Sequence, residues 1–124
     1  MTDEPQGFLS LIGARAPDAT DGRATLVVDV GEEHLNHAGA VHGGMLATLV
    51  DTAMGAAIMS TLDEGSTATS QLTVTYLRPG KPGQLVVTAA VGKRGQSLTV
   101  CDAEIEQDGE TLVHALATFA LLDG

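Results

Sequence analysis

The run HGGMLATLVDTAMGAAIMSTL, residues 42–62, decides how the rest of the chain can be arranged. Between Gly43 and Leu62 the only charged side chain is Asp51, set among Met45, Leu46, Leu49, Val50, Ala53, Met54, Ala56, Ala57 and Ile58. Those apolar residues go almost all the way round a helix, so a helix from about His42 to Leu62 is expected to be buried rather than to lie on a surface. A lone carboxylate in such surroundings is costly unless it is paired, hydrogen-bonded or protonated. Asp51 is therefore the first candidate for chemistry, the alternative being a carboxylate held by partners at an interface.

Before this helix, Phe8, Leu9, Leu11 and Ile12 fall at helical spacing and stop at Gly13, which predicts a short amphipathic helix. Residues 13–22, with Pro17, Asp18, Asp21 and Gly22, read as a turn-rich connection. Arg23 to Val30 alternates as a half-buried strand, and Gly31 to Val41 is a loop of His, Asn, Gly and small residues. After Asp63-Glu-Gly65 the period changes to two, and Ser70–Arg78, Gln84–Val91, Gln96–Glu106 and Thr111–Leu121 read as strands. Short connections make them a four-strand antiparallel meander, with an Asp108-Gly109 hairpin. In the third of these strands the polar positions shift phase, which predicts a bulge near Val100-Cys101. One buried helix against a five-strand antiparallel sheet is a two-layer α+β domain, with outer face and edges left for another copy of the chain to cover.

The chain has 124 residues, enough for one domain with a real core, here spanning 1–124 with residues 1–6 expected to be a flexible lead-in. Its 16 acidic against 6 basic residues give a net charge of -10, a field that repels nucleic acid and anionic membranes. Only Lys81 and Lys93 are lysines, and the two readings of this composition are a salt-rich cytosol and a genome that favours Arg, Ala and Gly over Lys. The single Cys101 excludes an intramolecular disulfide and reads as a small buried hydrophobe. The acidic start lacks the features of a signal peptide, and no uncharged apolar run reaches about 18 residues, so a cytoplasmic protein without membrane contact is expected.

A helix N-terminus opened by Gly43 and Gly44 exposes backbone N–H groups to which a ligand oxygen can come close. Such donors stabilise developing negative charge, as on a thioester oxygen under attack. Asp51 lies eight residues on, about 12 Å along the axis. One carbonyl cannot touch both the Gly43 amide and the Asp51 carboxylate of the same helix, so use of both requires a partner subunit and predicts a dimer with two equivalent sites. His34, His37 and His42 with Asp51 can be drawn as a metal site, but His34 and His37 sit in an irregular loop, and no metal is expected. His114, alternating with Leu112 and Leu116, reads as structural.

The segment Asn36-x-x-Gly39-x-x-His42-Gly43-Gly44, with Asp51 downstream and then Thr73-Val-Thr-Tyr76-Leu-Arg-Pro79, resembles the hotdog-fold acyl-CoA thioesterases of the PaaI-like group, within the 4HBT superfamily. The likeness runs from about Gly7 to Leu122. It implies a hotdog fold, an antiparallel sheet wrapped round a long central helix, and homodimers that pair into homotetramers. It implies hydrolysis of an acyl-CoA, with an aryl-acetyl or medium-chain acyl group as candidates, to free acid and CoA. No cofactor is called for, since coenzyme A is part of the substrate. The Gly43 amide would polarise the thioester carbonyl, and Asp51 of the other subunit would act as nucleophile or as general base on water. Asn36 and His42 would orient the carbonyl or the water, and Thr69, with Ser70 beside it, would supply a hydroxyl that helps to hold the water. Gly44, Arg78, Lys81, Lys93 and Arg94 are the remaining substrate-binding candidates, the four cations for the phosphates of coenzyme A. The two turns that carry them flank one strand and lie at its opposite ends. Two alternatives remain: a non-catalytic acyl-CoA-binding hotdog module, and, with less resemblance in spacing, a hotdog dehydratase.

Overall fold

The computed structural model describes residues 7–122, and the lead-in expected at 1–6 lies outside them. In chain order come α1 (Phe8–Leu11), β1 (Asp18–Thr20), β2 (Arg23–Val30), α2 (Gly43–Met59), β3 (Ser66–Tyr76), β4 (Gly83–Arg94), β5 (Leu98–Gln107) and β6 (Glu110–Leu122). The six strands form one antiparallel sheet in the order β1-β2-β4-β5-β6-β3. It packs round α2, the arrangement that the hotdog resemblance implies.

The buried face of α2 follows from its composition. Leu49, Val50, Ala53, Met54, Ala57 and Ile58 have no exposed surface, and they meet Leu85, Val87, Cys101, Ile105 and Val113 from the inner face of the sheet. Alanines at 53 and 57 let helix and sheet approach closely, which suits a chain with almost no aromatic residues to fill a wider gap. The helix ends at Met59, three residues before the expected Leu62. Ser60 Oγ donates to the Ala57 carbonyl and Thr61 Oγ1 to the Ile58 carbonyl, both at 2.7 Å, so side-chain hydroxyls help the backbone N–H groups of 60–62 to satisfy the carbonyls of the last turn.

Four expectations are corrected. The connection at 13–22 contains a sixth strand, β1, joined to β2 through Asp21 (φ 51°) and Gly22 (φ 80°), a pair of left-handed residues that matches the twist of a two-residue hairpin. Only β4, β5 and β6 make a meander. β3 begins at Ser66, earlier than expected, and pairs with β6, as Leu72 with Ala117, so it forms the far edge of the sheet. Its link to β4 is no tight hairpin: Pro79 and Pro82 remove donors, and the segment is held instead by Val41 N–H to the Gly80 carbonyl (2.9 Å) and Leu77 N–H to the Leu112 carbonyl (2.7 Å). Lastly, β5 alternates without interruption, with Thr99, Cys101, Ala103, Ile105 and Gln107 inward. The extra residue is Gly92 on the neighbouring β4, between Val91 paired with Cys101 and Lys93 paired with Val100. Leu98 and Val100 face outward despite their apolar character, which is what imitates a change of phase.

The α1 helix is a single turn with Leu9 and Ile12 against the core. Among the described residues no helix is long and apolar enough to cross a membrane.

Candidate active site

The loop that delivers the chain to α2 is built by its own polar groups. Asn36 Oδ1 accepts from the N–H groups of Ala38 (2.9 Å) and Ala40 (3.2 Å), and Asn36 N–H donates to the Ala40 carbonyl (2.7 Å), closing a compact turn. His34 is a strut of this loop: Nδ1 accepts from Gly31 N–H at 3.0 Å and Nε2 meets the Ile12 carbonyl at 2.7 Å. Both of its ring nitrogens are thereby occupied, and no group of three metal-ligating side chains converges among the described residues.

The turn ends at His42, the N-cap of α2, whose Nδ1 accepts from Gly44 N–H at 3.0 Å. The Gly43 N–H has no partner among the described residues and is left as an open donor at the positive end of the helix. Over Gly43 lies Tyr76 from the end of β3: its hydroxyl donates to the Gly43 carbonyl at 2.8 Å, and its ring atoms come within 3.4 Å of where a Cβ on Gly43 would stand. A side chain at 43 would meet the ring at ordinary contact distance, so the ring lies directly on this residue. Beside this contact Val41, Leu46, Leu77 and Pro79 wall a concavity of about 300 Å³, with Arg78 at its lining.

Two turns further along α2 stands Asp51, half-buried, where Thr69 Oγ1 donates to Oδ1 at 2.6 Å. That bond orients the carboxylate and leaves Oδ2 without a partner among the described residues. Ser70 is elsewhere. The β3–β6 register slips between Thr69 and Gln71, and this bulge turns Ser70 to the other face, where Oγ meets Thr118 Oγ1 at 2.7 Å and donates to the Thr118 carbonyl at 3.0 Å.

The chain thus carries two separate candidate half-sites. Gly43, Gly44, His42 and Tyr76 gather at the start of α2, with the Asn36 turn leading into it, and Asp51 and Thr69 gather at its middle. Eight helical residues put about 12 Å between them. Both are held by β3, which has no strand beyond it, so both lie along the open edge of the sheet.

The basic candidates are dispersed as their turns predict. Arg78 pairs with Glu110 at 3.4 Å and Lys81 with Asp108 at 3.6 Å, each partner more than half exposed, so either cation can exchange its carboxylate for another anion at little cost. At the other end of β4, Arg94 Nη1 donates to the Thr61 carbonyl at 2.9 Å, close to the C-terminal end of α2, and Lys93 has no ion-pair partner among the described residues. His114 lies on the outer sheet face, paired with Glu104 on one side and Thr75 on the other, and so on the face opposite to Tyr76.

Tyr76 is the residue whose role sequence reasoning missed, although it is the one tyrosine of the chain and stands within the quoted strand motif. An aromatic next to a Pro-Gly turn is a signal for a ring that covers something, but what it covers lies 33 residues away.

A family model described as thioesterase superfamily matches residues 38–114, a stretch that contains both half-sites except Asn36. A Halobacterium salinarum protein described provisionally as an esterase is 37% identical over 114 residues, covering 87% of this chain and 75% of its own length. Human acyl-coenzyme A thioesterase 13 is 34% identical over 88 residues, 70% of this chain and 63% of the human one, so the match spans less than two thirds of that relative. Among solved structures, a hypothetical thioesterase from Streptococcus pneumoniae with coenzyme A superposes with a TM-score of 0.80 at 28% identity, over 86% of this chain and 83% of its own. That protein has also been solved with one aspartate, and with one threonine, replaced by alanine.

Proposed function

The chain belongs to the thioesterase superfamily, and from that premise we propose that it hydrolyses an acyl-CoA thioester at a site made by two subunits. The observation that carries the proposal is the pairing of a free Gly43 N–H at a helix N-terminus with a carboxylate, Asp51, oriented by Thr69. These are the two elements that thioester hydrolysis needs, and they lie too far apart to meet within one chain. A homodimer with α2 antiparallel to its partner's α2 brings each Gly43 to the other chain's Asp51, and the open edge of β3 is where both half-sites are accessible.

In the assembled site the thioester oxygen accepts from Gly43 N–H, and the carbonyl carbon becomes more electrophilic. Asp51 of the other chain takes a proton from water through its free Oδ2 as the water oxygen bonds to that carbon. The oxyanion, held by the Gly43 amide, collapses, the C–S bond breaks, and the CoA thiolate takes up the proton. Direct attack by Asp51, with an anhydride that water then opens, uses the same groups and gives the same products. His42 and Asn36 flank the donor, His42 through its unpartnered Nε2 and Asn36 by fixing the turn, and they orient the carbonyl or the water. Arg78 and Lys81 at one end of the sheet, or Lys93 and Arg94 at the other, meet the phosphates of coenzyme A. The apolar walls beside Tyr76 suit an aryl-acetyl or medium-chain acyl group. The outward-facing Leu98, Val100 and Leu116 suit pairing of dimers into a tetramer. The presence of coenzyme A in the pneumococcal structure supports the substrate class.

The test is release of free thiol from a panel of aromatic, short-chain and medium-chain acyl-CoAs by wild type and Asp51→Asn, both shown to be folded. The wild type turns over at least one member, and the variant loses roughly a hundredfold or more in kcat while it still binds the ester. Binding without turnover by the wild type would overturn the hydrolase reading in favour of an acyl-CoA-binding module.

A further inference from the structure

Two hydrogen bonds at the start of α2 share one peptide group. Tyr76 Oη donates to the Gly43 carbonyl at 2.8 Å, and the Gly44 N–H of the same amide donates to His42 Nδ1 at 3.0 Å. The hydroxyl, the amide and the imidazole thus form one chain of donors and acceptors from the edge strand to the N-cap. We infer that Tyr76 is a positioning residue, whose hydroxyl holds the Gly43–Gly44 peptide so that His42 is fixed as the Nε2–H tautomer.

Adjacent glycines at a helix N-terminus are a place where an amide plane turns with little resistance, since neither has a Cβ and the first turn lacks helical partners for its N–H groups. An outside donor on the Gly43 carbonyl stops that rotation. The hydroxyl supplies it, and the ring, within 3.4 to 3.5 Å of a Cβ position on Gly43, packs over the same unit. With its plane set, the Gly44 N–H points at His42. A ring nitrogen that accepts a hydrogen bond carries no proton in the neutral imidazole, so the proton resides on Nε2. His42 is exposed, and Nε2 has no partner among the described residues, so it is a donor ready for the acyl oxygen or the attacking water. The same anchoring fixes the neighbouring Gly43 N–H, the open donor of the site. Tyr76 touches neither substrate nor water in this role. Its effect on rate rests on the thioesterase reading, whereas its effect on the His42 tautomer does not.

The experiment compares wild type, Tyr76→Phe and Gly44→Ala. Long-range proton–nitrogen NMR correlations on histidine-labelled protein report the tautomer, with the His42 signals assigned by their loss in His42→Gln. The wild type shows His42 with Nε2–H. Tyr76→Phe, which keeps the ring and deletes the hydroxyl, shows both tautomers, with kcat down roughly tenfold and KM within about threefold. A Cβ on Gly44 would stand 3.2 Å from His42 Nδ1 and 3.4 Å from Cε1, so Gly44→Ala displaces the exposed imidazole by a few tenths of an ångström, weakens its bond to the amide and raises the share of the other tautomer without touching Tyr76. A folded Tyr76→Phe with the wild-type tautomer overturns the inference whatever its rate, and so does a pure Nε2–H signal in Gly44→Ala. If the wild type hydrolyses no thioester, the thioesterase reading fails, and the tautomer comparison still decides the role of Tyr76.

Discussion

At the scale of single residues, Cys101 shows how a local reading becomes a measurable property. It has no exposed surface, and its Sγ lies 3.9 Å from the Met54 carbonyl of α2. Burial pushes its thiol from 9.0 up to about 11, with the charge of Asp102 adding to the effect. The thiol ionises near pH 9 in the unfolded chain and near 11 in the folded one. Its contribution to stability is therefore whole below pH 9 and lost as pH rises to 11. Urea midpoints from pH 8 to 11 should fall more steeply for wild type than for Cys101→Ala, by a difference on the order of 2 kcal/mol over the window. Parallel curves would refute the assignment. That Cys101 is buried was legible from its place in a strand pattern. Which of Thr69 and Ser70 meets Asp51 was not, because the answer depends on a bulge that leaves no mark in residue type.

Among the elements, α2 carries the core, and its burial was legible from apolar residues on every side of the helix. Leu49→Ala should cost about 2–5 kcal/mol, read as a lower urea midpoint with an unchanged slope, because Leu49 is fully enclosed between helix and sheet. A loss under about 1 kcal/mol would mean that the helix is not packed as described. The strands were less legible. β1 is three residues long with none of them buried, so it offers no alternation to detect. Leu98 and Val100 face outward and imitate a change of phase that β5 does not make. The partner of β3 was misread because a short Pro-Gly segment suggests a hairpin, whereas here it carries the chain past the end of the sheet.

Taken whole, the molecule presents two half-sites on one open edge, and the proposed dimer yields a test of their union. Gly43→Pro removes the open N–H at the first helical position, where proline is tolerated, and His42 already has the extended φ -58° and ψ 129° that precede a proline. This variant and Asp51→Asn should each be nearly inactive. Unfolded together in equal amounts and refolded, they should regain about a quarter of wild-type activity, since half of the dimers are mixed and each mixed dimer has one intact site. No recovery, with mixed dimers shown to form, would exclude a site shared in this way. The expectation of a second chain rests on sequence alone, because eight residues of helix have a known length. Local pattern by itself determined the buried helix, the lone carboxylate on it, the glycine-opened N-terminus and the α+β class, all of which follow from residue type and period. Tertiary structure alone decided that β3 pairs with β6, that Thr69 rather than Ser70 reaches Asp51, and that Tyr76 closes over Gly43. Those contacts join residues 18 and 33 positions apart or more, and no local period encodes which distant strand comes to lie beside the helix.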